Sequence, residues 1–477
     1  MQTNISAKKS QHILGLVIVD GVGYRNFILS DFVNQSLNTF DEVVIFSGLP
    51  SESFGMQEQS NVRIIELPVF QESGKTWFWR KAKEVAHMQL HKDNFAGIDY
   101  NLQKNYPNTK SKRALITKVI FKITSVFHSE KWINRFYRYQ VNSFKKNEVT
   151  KLYSELLKRE EPDLLFFTHQ RPPYLAPLDY AAKELGIKTC SFIFSWDNLP
   201  SKGRMAAPFD SFLVWSDLMK KELHYFYPET KNQSVEVVGT PQFEPYVLDR
   251  YTSSKEDFHQ KFELDPGLKT ICYSCGDAST SKNDPVYIEV IAKLIKQIKL
   301  TENINFLVRT SPAEDGSRFR EVVNRFPFIK WNYPKWKLTR KDHPEPWSQR
   351  VPLPEDLIDL RSLLEYCDLN INMCSTMSLD FMLFDKPVIN PNFGTEENDL
   401  YDDQKYLQYS HYERVVQSGA VATVKNEEEL LREINFSLNN PEARIKEQKE
   451  LLKLQIGKPL EETSQRITET LKEFSEA

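Results

Sequence analysis

Short apolar runs bounded by polar turns recur along the first half of the chain. They fall at residues 12–19, 42–46, 62–67, 164–167, 189–194, 212–215 and 235–238. Each is nearly continuous rather than alternating, the pattern of strands buried on both faces. Helix-period stretches such as 180–185 and 218–225 lie between them. Strand–helix alternation predicts a parallel sheet with helices on both sides. The pattern breaks at 241–267, a segment rich in proline, tyrosine and charge that includes Pro245, Pro266 and Gly267. Alternation then restarts. Strands are expected at 270–275, 305–309, 328–331, 369–373, 388–391 and 420–423, and helices at 286–298, 318–325, 357–366 and 377–384. The charged stretch 426–477 reads as helical. The prediction is an α/β chain of two doubly wound, Rossmann-like parallel-sheet domains facing a cleft. Ligands in such folds bind beyond the carboxyl ends of the strands and between domains.

Two segments do not fit this alternation. Residues 334–354 lack periodicity and carry Trp336, His343 and Trp347, which reads as a structureless lid or binding loop. Residues 104–151 thread Leu115, Ile116, Val119, Ile120 and Trp132 among many lysines and arginines. That basic amphipathic composition reads either as a solvated helical insertion or as a surface for anionic lipid.

Composition narrows the function. The 477 residues carry a net charge of −3, which argues against a dedicated nucleic-acid binder. The five cysteines are an odd number without zinc-site spacing, so buried reduced thiols and a cytoplasmic compartment are expected. The two-residue gap between Cys272 and Cys275 reads as chance spacing at a strand end. Residues 1–10 are polar, with Lys8 and Lys9 and no signal-peptide core after them. No apolar run reaches membrane-spanning length, so any lipid contact is expected to be peripheral, at the inner face of the membrane.

The densest chemistry is the run from Cys367 to Asp380, which reads strand, polar turn, short helix. Ser375 and Thr376 stand where the helix should begin, a place suited to an anion. Asp380 follows one turn on, placed for a ribose hydroxyl. The bland reading is a β-α-β unit whose hydroxyls only cap a helix. Asp20, Gly21 and Gly23 follow the first strand as a tight glycine turn, with Asp20 placed as a base and Arg25 nearby as an acceptor contact. His169 ends another strand and is a base, a substrate contact or a structural residue. Trp196, Asp197, Asn198 and Lys202 form a polar loop able to hold sugar hydroxyls, or one simply held by Trp packing. Gly276 and Arg309 end strands of the second half. Arg309 offers a planar cation to a diphosphate, or else a strand-end salt bridge. No Asp-x-Asp after a strand has a metal role, so the expectation is a metal-independent reaction without a cofactor.

The Ser375–Asp380 segment, followed by Pro387-Val388-Ile389, resembles the donor-binding segment of GT-B glycosyltransferases, with Asp380 and Lys386 standing where that family has Glu and Gly. The Ser195-Trp196-Asp197-Asn198 loop resembles loops in bacterial surface-carbohydrate glycosyltransferases. Val238-Gly239-Thr240-Pro241 through Glu244 resembles the end of many GT-B first domains. Leu307-Val308-Arg309 with Ser311-Pro312 is similar to a run in CDP-glycerol glycerophosphotransferases, where a His occupies the position of Ser311. The resemblance implies an acceptor-side domain at 1–245, a donor domain at 268–457 and a helix at 458–477 crossing back. It implies transfer of a sugar from a nucleotide-sugar, here a substrate, to a glycan or lipid-linked acceptor in surface polysaccharide biosynthesis. Asp20 and His169 would be catalytic. Gly276, Arg309, Ser375, Thr376 and Asp380 would bind the donor, and Arg25, Trp196, Asp197, Asn198 and Lys202 the acceptor. The alternatives are a CDP-glycerol-type phosphotransferase, which leaves a phosphodiester product; a sugar-nucleotide epimerase, which needs no acceptor; and a non-catalytic nucleotide-sugar-binding protein.

Overall fold

A computed structural model describes residues 11–55, 60–341, 343 and 345–477, so the polar stretch 1–10 lies outside the described residues. The first sheet contains β1 (Ile13–Ile18), β2 (Glu42–Ser47), β3 (Val62–Glu66), β4 (Leu164–Phe167), β5 (Lys188–Phe192), β6 (Ser211–Val214) and β7 (Ser234–Val237). Their order is β3-β2-β1-β4-β5-β6-β7, and every pairing is parallel. The second contains β8 (Lys269–Ser274), β9 (Ile304–Arg309), β10 (Lys330–Asn332), β13 (Leu369–Ile371), β14 (Val388–Pro391) and β15 (Ala422–Val424). It runs β10-β9-β8-β13-β14-β15, again wholly parallel. In each sheet the order reverses beside the first strand, at the β1/β4 and β8/β13 edges. Those are the switch points where loops diverge and leave a crevice. Central strands such as β1 and β4 are buried along their whole length, which explains their unbroken apolar runs.

The segment 334–354 is not structureless. It holds β11 (Trp336–Leu338) antiparallel to β12 (Arg350–Pro352), with a single turn at Pro346–Gln349. Three-residue strands are too short to leave a period in the sequence. This hairpin is a strap from the second domain lying on the first. A Cβ built on Gly21 would stand 1.6 Å from the Arg350 carbonyl oxygen, so only glycine admits the strap there. Gln349 Nε2 reaches the Gly48 carbonyl at 3.3 Å, and Arg340 pairs with Glu66.

The basic segment folds into helices Lys112–Thr124 and Glu130–Phe144, the second packed on the Gly74–His91 helix. Ile120 and Phe121 face inward, while Leu115, Val119 and Val126 remain 56%, 52% and 70% exposed. The charged end of the chain forms three helices, of which Thr463–Glu476 packs on the Phe32–Thr39 helix of the first domain. Ser464 bonds Glu244 there, and Lys188 Nζ reaches the Phe474 carbonyl at 3.4 Å. All five cysteines are free thiols.

Candidate active site between the two sheets

The glycine run after β1 is a helix rather than a tight turn. Asp20 is extended and caps the Gly21–Phe27 helix, its Oδ1 accepting from Gly23 N at 2.7 Å. Its Oδ2 lies 2.9 Å from His169 Nδ1. Both carboxylate oxygens of Asp20 are therefore engaged, and its chemistry is to hold an imidazole. The contact places the proton on His169 Nδ1 and leaves Nε2 with its lone pair. That Nε2 is buried and has no hydrogen-bond partner. Phe194 stacks on the ring at 3.9 Å. Burial pushes the imidazole below its ordinary pKa, and Asp20 opposes that only in part. The pair has the anatomy of a base and its positioning carboxylate.

The second domain presents the turn after β13. Its amides are less free than the sequence suggests. Ser375 N donates to Asn372 Oδ1 at 2.9 Å, and Met377 N to Ser375 Oγ at 3.3 Å. The Met377–Met382 helix that follows has six residues, so its dipole is short. Gly276 N donates to Asp284 Oδ2 at 3.0 Å, and a Cβ at Gly276 would collide with Ser281. What the turn does offer is side-chain hydroxyls.

Two cavities meet at this turn. The smaller, about 260 Å³, is bounded by Arg25, Arg309, Trp336 and Asp380. The larger, about 770 Å³, has four lysines (Lys104, Lys202, Lys282, Lys405) against two aspartates, Asp197 and Asp277. Its aromatic wall includes Tyr401, Tyr406 and Tyr409. Gly276, Asp277, Ser375 and Thr376 belong to both. The smaller is lined from the ends of β8, β9 and β13 and the larger from the ends of β8 and β13 and from residues between 401 and 411, so their shared wall sits at the switch point.

Asp380 is the buried acid of the smaller cavity that faces Tyr246. Burial pushes its carboxyl up to about 6, against the pull of the Tyr246 hydroxyl, Arg25 and Arg309. Tyr246 donates to it across the domain boundary, and Arg25 Nη2 lies 3.2 Å from that same hydroxyl. Arg25, expected as an acceptor contact, lines the smaller cavity with Arg309 and Asp380. The first-domain helix turns it toward Tyr246 and the Gln242 carbonyl, 2.9 Å away. Arg309 lines this cavity too, yet it is paired with Asp356 at 2.9 Å and bonded to Asn332. Asp356 in turn accepts from Trp336 Nε1 at 2.9 Å, tying the strap to the guanidinium.

Trp196 is no open stacking platform. It is 4% exposed, and its Nε1 donates to Thr376 Oγ1 at 3.1 Å, joining the domains. Asp197 and Lys202 line the larger cavity as an ion pair at 3.1 Å. Burial would raise the Asp197 carboxyl, but Lys202 and His411 hold it well below its usual range. Asn198 lines neither cavity; its side chain bridges Gln170 and Asp197. Sequence reasoning missed Tyr246, His411, Lys405 and the tyrosine wall. They lie in segments without strand periodicity, and only the fold brings them to the cleft.

Among the described residues, His87, His91 and Glu130 are the one group with metal-ligand convergence, their candidate atoms within 4.8 Å of one another. They lie outside the cleft, and Glu130 is paired with Arg204 at 3.0 Å, a cation that opposes a second one beside it.

No protein-family profile matches the sequence, and no curated protein matches it. Solved structures do match its fold. A Listeria monocytogenes putative UDP-N-acetylglucosamine 2-epimerase aligns with TM-score 0.52 at 10% identity, over 98% of both chains. A Rickettsia africae glycosyltransferase aligns at 0.50 and 13% identity, covering 98% of this chain and 99% of its own. A Medicago truncatula protein complexed with UDP-glucose aligns at 0.50 and 12% identity over 98% of both chains. The fold is GT-B. At these identities the likeness establishes the architecture, two Rossmann-like domains about a cleft, and leaves the chemistry to the site itself.

Proposed function

We propose that the protein is a metal-independent glycosyltransferase that moves a sugar from a nucleotide-sugar donor to a hydroxyl of a glycan or lipid-linked acceptor. The observation that carries this reading is the pair of cavities sharing one turn. An epimerase converts a single nucleotide-sugar and needs one chamber; transfer needs two substrates meeting at one bond. The smaller cavity takes the nucleoside, with Asp380 toward the ribose and Trp336 near the base. The diphosphate lies on Ser375 and Thr376 with Arg25 and Arg309 beside it. The acceptor occupies the larger cavity, against Asp197 and Lys202.

His169 Nε2 removes the acceptor proton, held by Asp20, as the nucleoside diphosphate leaves. His169 lines neither cavity in this closed arrangement, so the strap or the domains part before it reaches a hydroxyl. Basic side chains stabilise the leaving group in place of a metal. The exposed Leu115, Val119 and Val126 beside Lys118 and Lys122 suit peripheral contact with an anionic membrane, where lipid-linked acceptors reside.

The test is a thermal-shift screen of UDP, GDP, CDP and dTDP, followed by donor hydrolysis and transfer assays with the best nucleotide's sugars. Binding at about 100 times the dissociation constant adds roughly 2.7 kcal/mol. No shift with any of the four at millimolar concentration refutes the donor site. Interconversion of two nucleotide-sugars without an acceptor turns the assignment to epimerase.

A further inference from the structure

The two cavities differ in charge. In the smaller, Arg25 and Arg309 face three aspartates, Asp277, Asp356 and Asp380. In the larger, four lysines face two aspartates, and one of these, Asp197, is already paired with Lys202. Among the described residues no carboxylate lies within ion-pair distance of Lys104, Lys282 or Lys405. Lys282 and Lys405 stand over the Tyr401 ring, at 4.4 and 4.2 Å from its centre. Two ammonium groups gathered on one ring, without a counter-charge, make a positive concavity beside sugar-sized aromatic faces.

We infer that the larger cavity is built for an acceptor bearing a phosphate or diphosphate group, with Lys104, Lys282 and Lys405 as its counter-charges. This rests on the reading of the larger cavity as the acceptor chamber. A neutral glycan leaves those three charges with only Asp277 against them; a phosphorylated one matches the excess while the tyrosine wall takes its rings. Lys104 ends the Ala96–Asn105 helix, and the next helix, Lys112–Thr124, carries the exposed apolar stripe. The chamber and the lipid-facing surface are therefore neighbours in the chain, which places a lipid-linked diphosphate and a soluble phosphoglycan as the two sources of one chemistry.

The experiment is calorimetric titration of the full chain, first saturated with whichever of UDP, GDP, CDP or dTDP shifts its melting most, so that the donor site is occupied. The probes are farnesyl diphosphate, a hexose 6-phosphate, and their uncharged counterparts farnesol and the free hexose. The expected result is binding of at least one phosphorylated probe tenfold or more tighter than its uncharged counterpart, weakening with salt. Lys282→Gln/Lys405→Gln should lose tenfold or more for that probe and keep nucleotide affinity within twofold. Both lysines lack ion pairs, so the double variant folds; Lys104→Gln repeats the test from the first domain. Farnesyl diphosphate alone points to the lipid-linked source and the hexose phosphate alone to the soluble one. Equal affinity for charged and uncharged probes, or parental phosphate affinity in the double variant, overturns the inference. Loss of every nucleotide shift overturns the donor reading instead, and phosphate binding lost with the lysines still supports the anion site.

Discussion

Asp380→Asn should make the protein more stable at neutral pH and worse at binding nucleotide. The wild-type carboxyl is buried at the domain boundary, and burial raises its pKa from 3.8 to about 6. The fold therefore holds this proton more tightly than the unfolded chain does. Stability contributed by the protonated form is complete below pH 4 and is lost as pH rises through 6. A shift of just over two pKa units corresponds to about 3 kcal/mol. Asparagine does not titrate, yet its amide oxygen can still accept from Tyr246. Other titrating groups cancel between variant and parent, so the difference in melting temperature isolates this carboxyl. It should widen in the variant's favour by about 6–12 °C between pH 4 and pH 7, taking 2–4 °C per kcal/mol for a domain of this size. Nucleoside diphosphate affinity at pH 7 should fall about tenfold or more, since a charged hydrogen bond to ribose is lost. A difference that stays flat across pH refutes the burial argument, and unchanged affinity refutes the ribose assignment.

Gly21→Ala should destabilise by about 1–3 kcal/mol through the clash with the Arg350 carbonyl, whereas Gly74→Ala, at the first position of another helix with nothing within 4 Å, should be neutral or slightly stabilising; equal denaturation midpoints would show that the strap yields freely. His169→Ala should cut transfer by about 10²–10⁴-fold with the fold intact. Because burial lowers the His169 pKa, the acid limb of kcat/KM should lie below pH 6.5, and a limb above that value would remove His169 as the base. Anionic vesicles should co-sediment the protein at low salt and release it at high salt, at about 1 kcal/mol per basic residue near the surface, with Val119→Asp weakening the binding; indifference to vesicles at low salt makes 104–151 a solvated insertion.

How far the sequence could be read depended on the kind of signal. Buried parallel strands write themselves as apolar runs, so both sheets were legible. Caps and straps are not written that way. Asp20-Gly21-Val22-Gly23 has turn composition, yet the glycines serve close approach: Gly21 admits the Arg350 carbonyl, and a Cβ on Gly23 would press on Thr168 Oγ1 at 3.0 Å. Candidate site residues were visible where a strand end carried unusual polarity, as at Asp20, His169 and Ser375. Their partners were not, because Tyr246 and His411 come from segments whose position only the tertiary fold defines. Arg309 shows the limit most directly. Its place at a strand end was readable, but its pairing with Asp356, a residue 47 positions on, was not.

Apolar packing joins the two domains, but several polar contacts across the cleft are made by residues of the site. Trp196 bonds Thr376, Tyr246 bonds Asp380, and the Asp356 that anchors Trp336 of the strap also holds Arg309. On the proposed reading, a nucleotide entering the smaller cavity would compete for those same groups: its ribose for the Tyr246–Asp380 bond, its diphosphate for the Thr376 hydroxyl and the Arg309 guanidinium. Donor binding and domain closure then draw on one set of hydrogen bonds. The same closure keeps His169 Nε2 buried and without a hydrogen-bond partner. On the proposed reading, a donor that takes these bonds loosens the closure, and that loosening is what lets His169 Nε2 reach an acceptor hydroxyl.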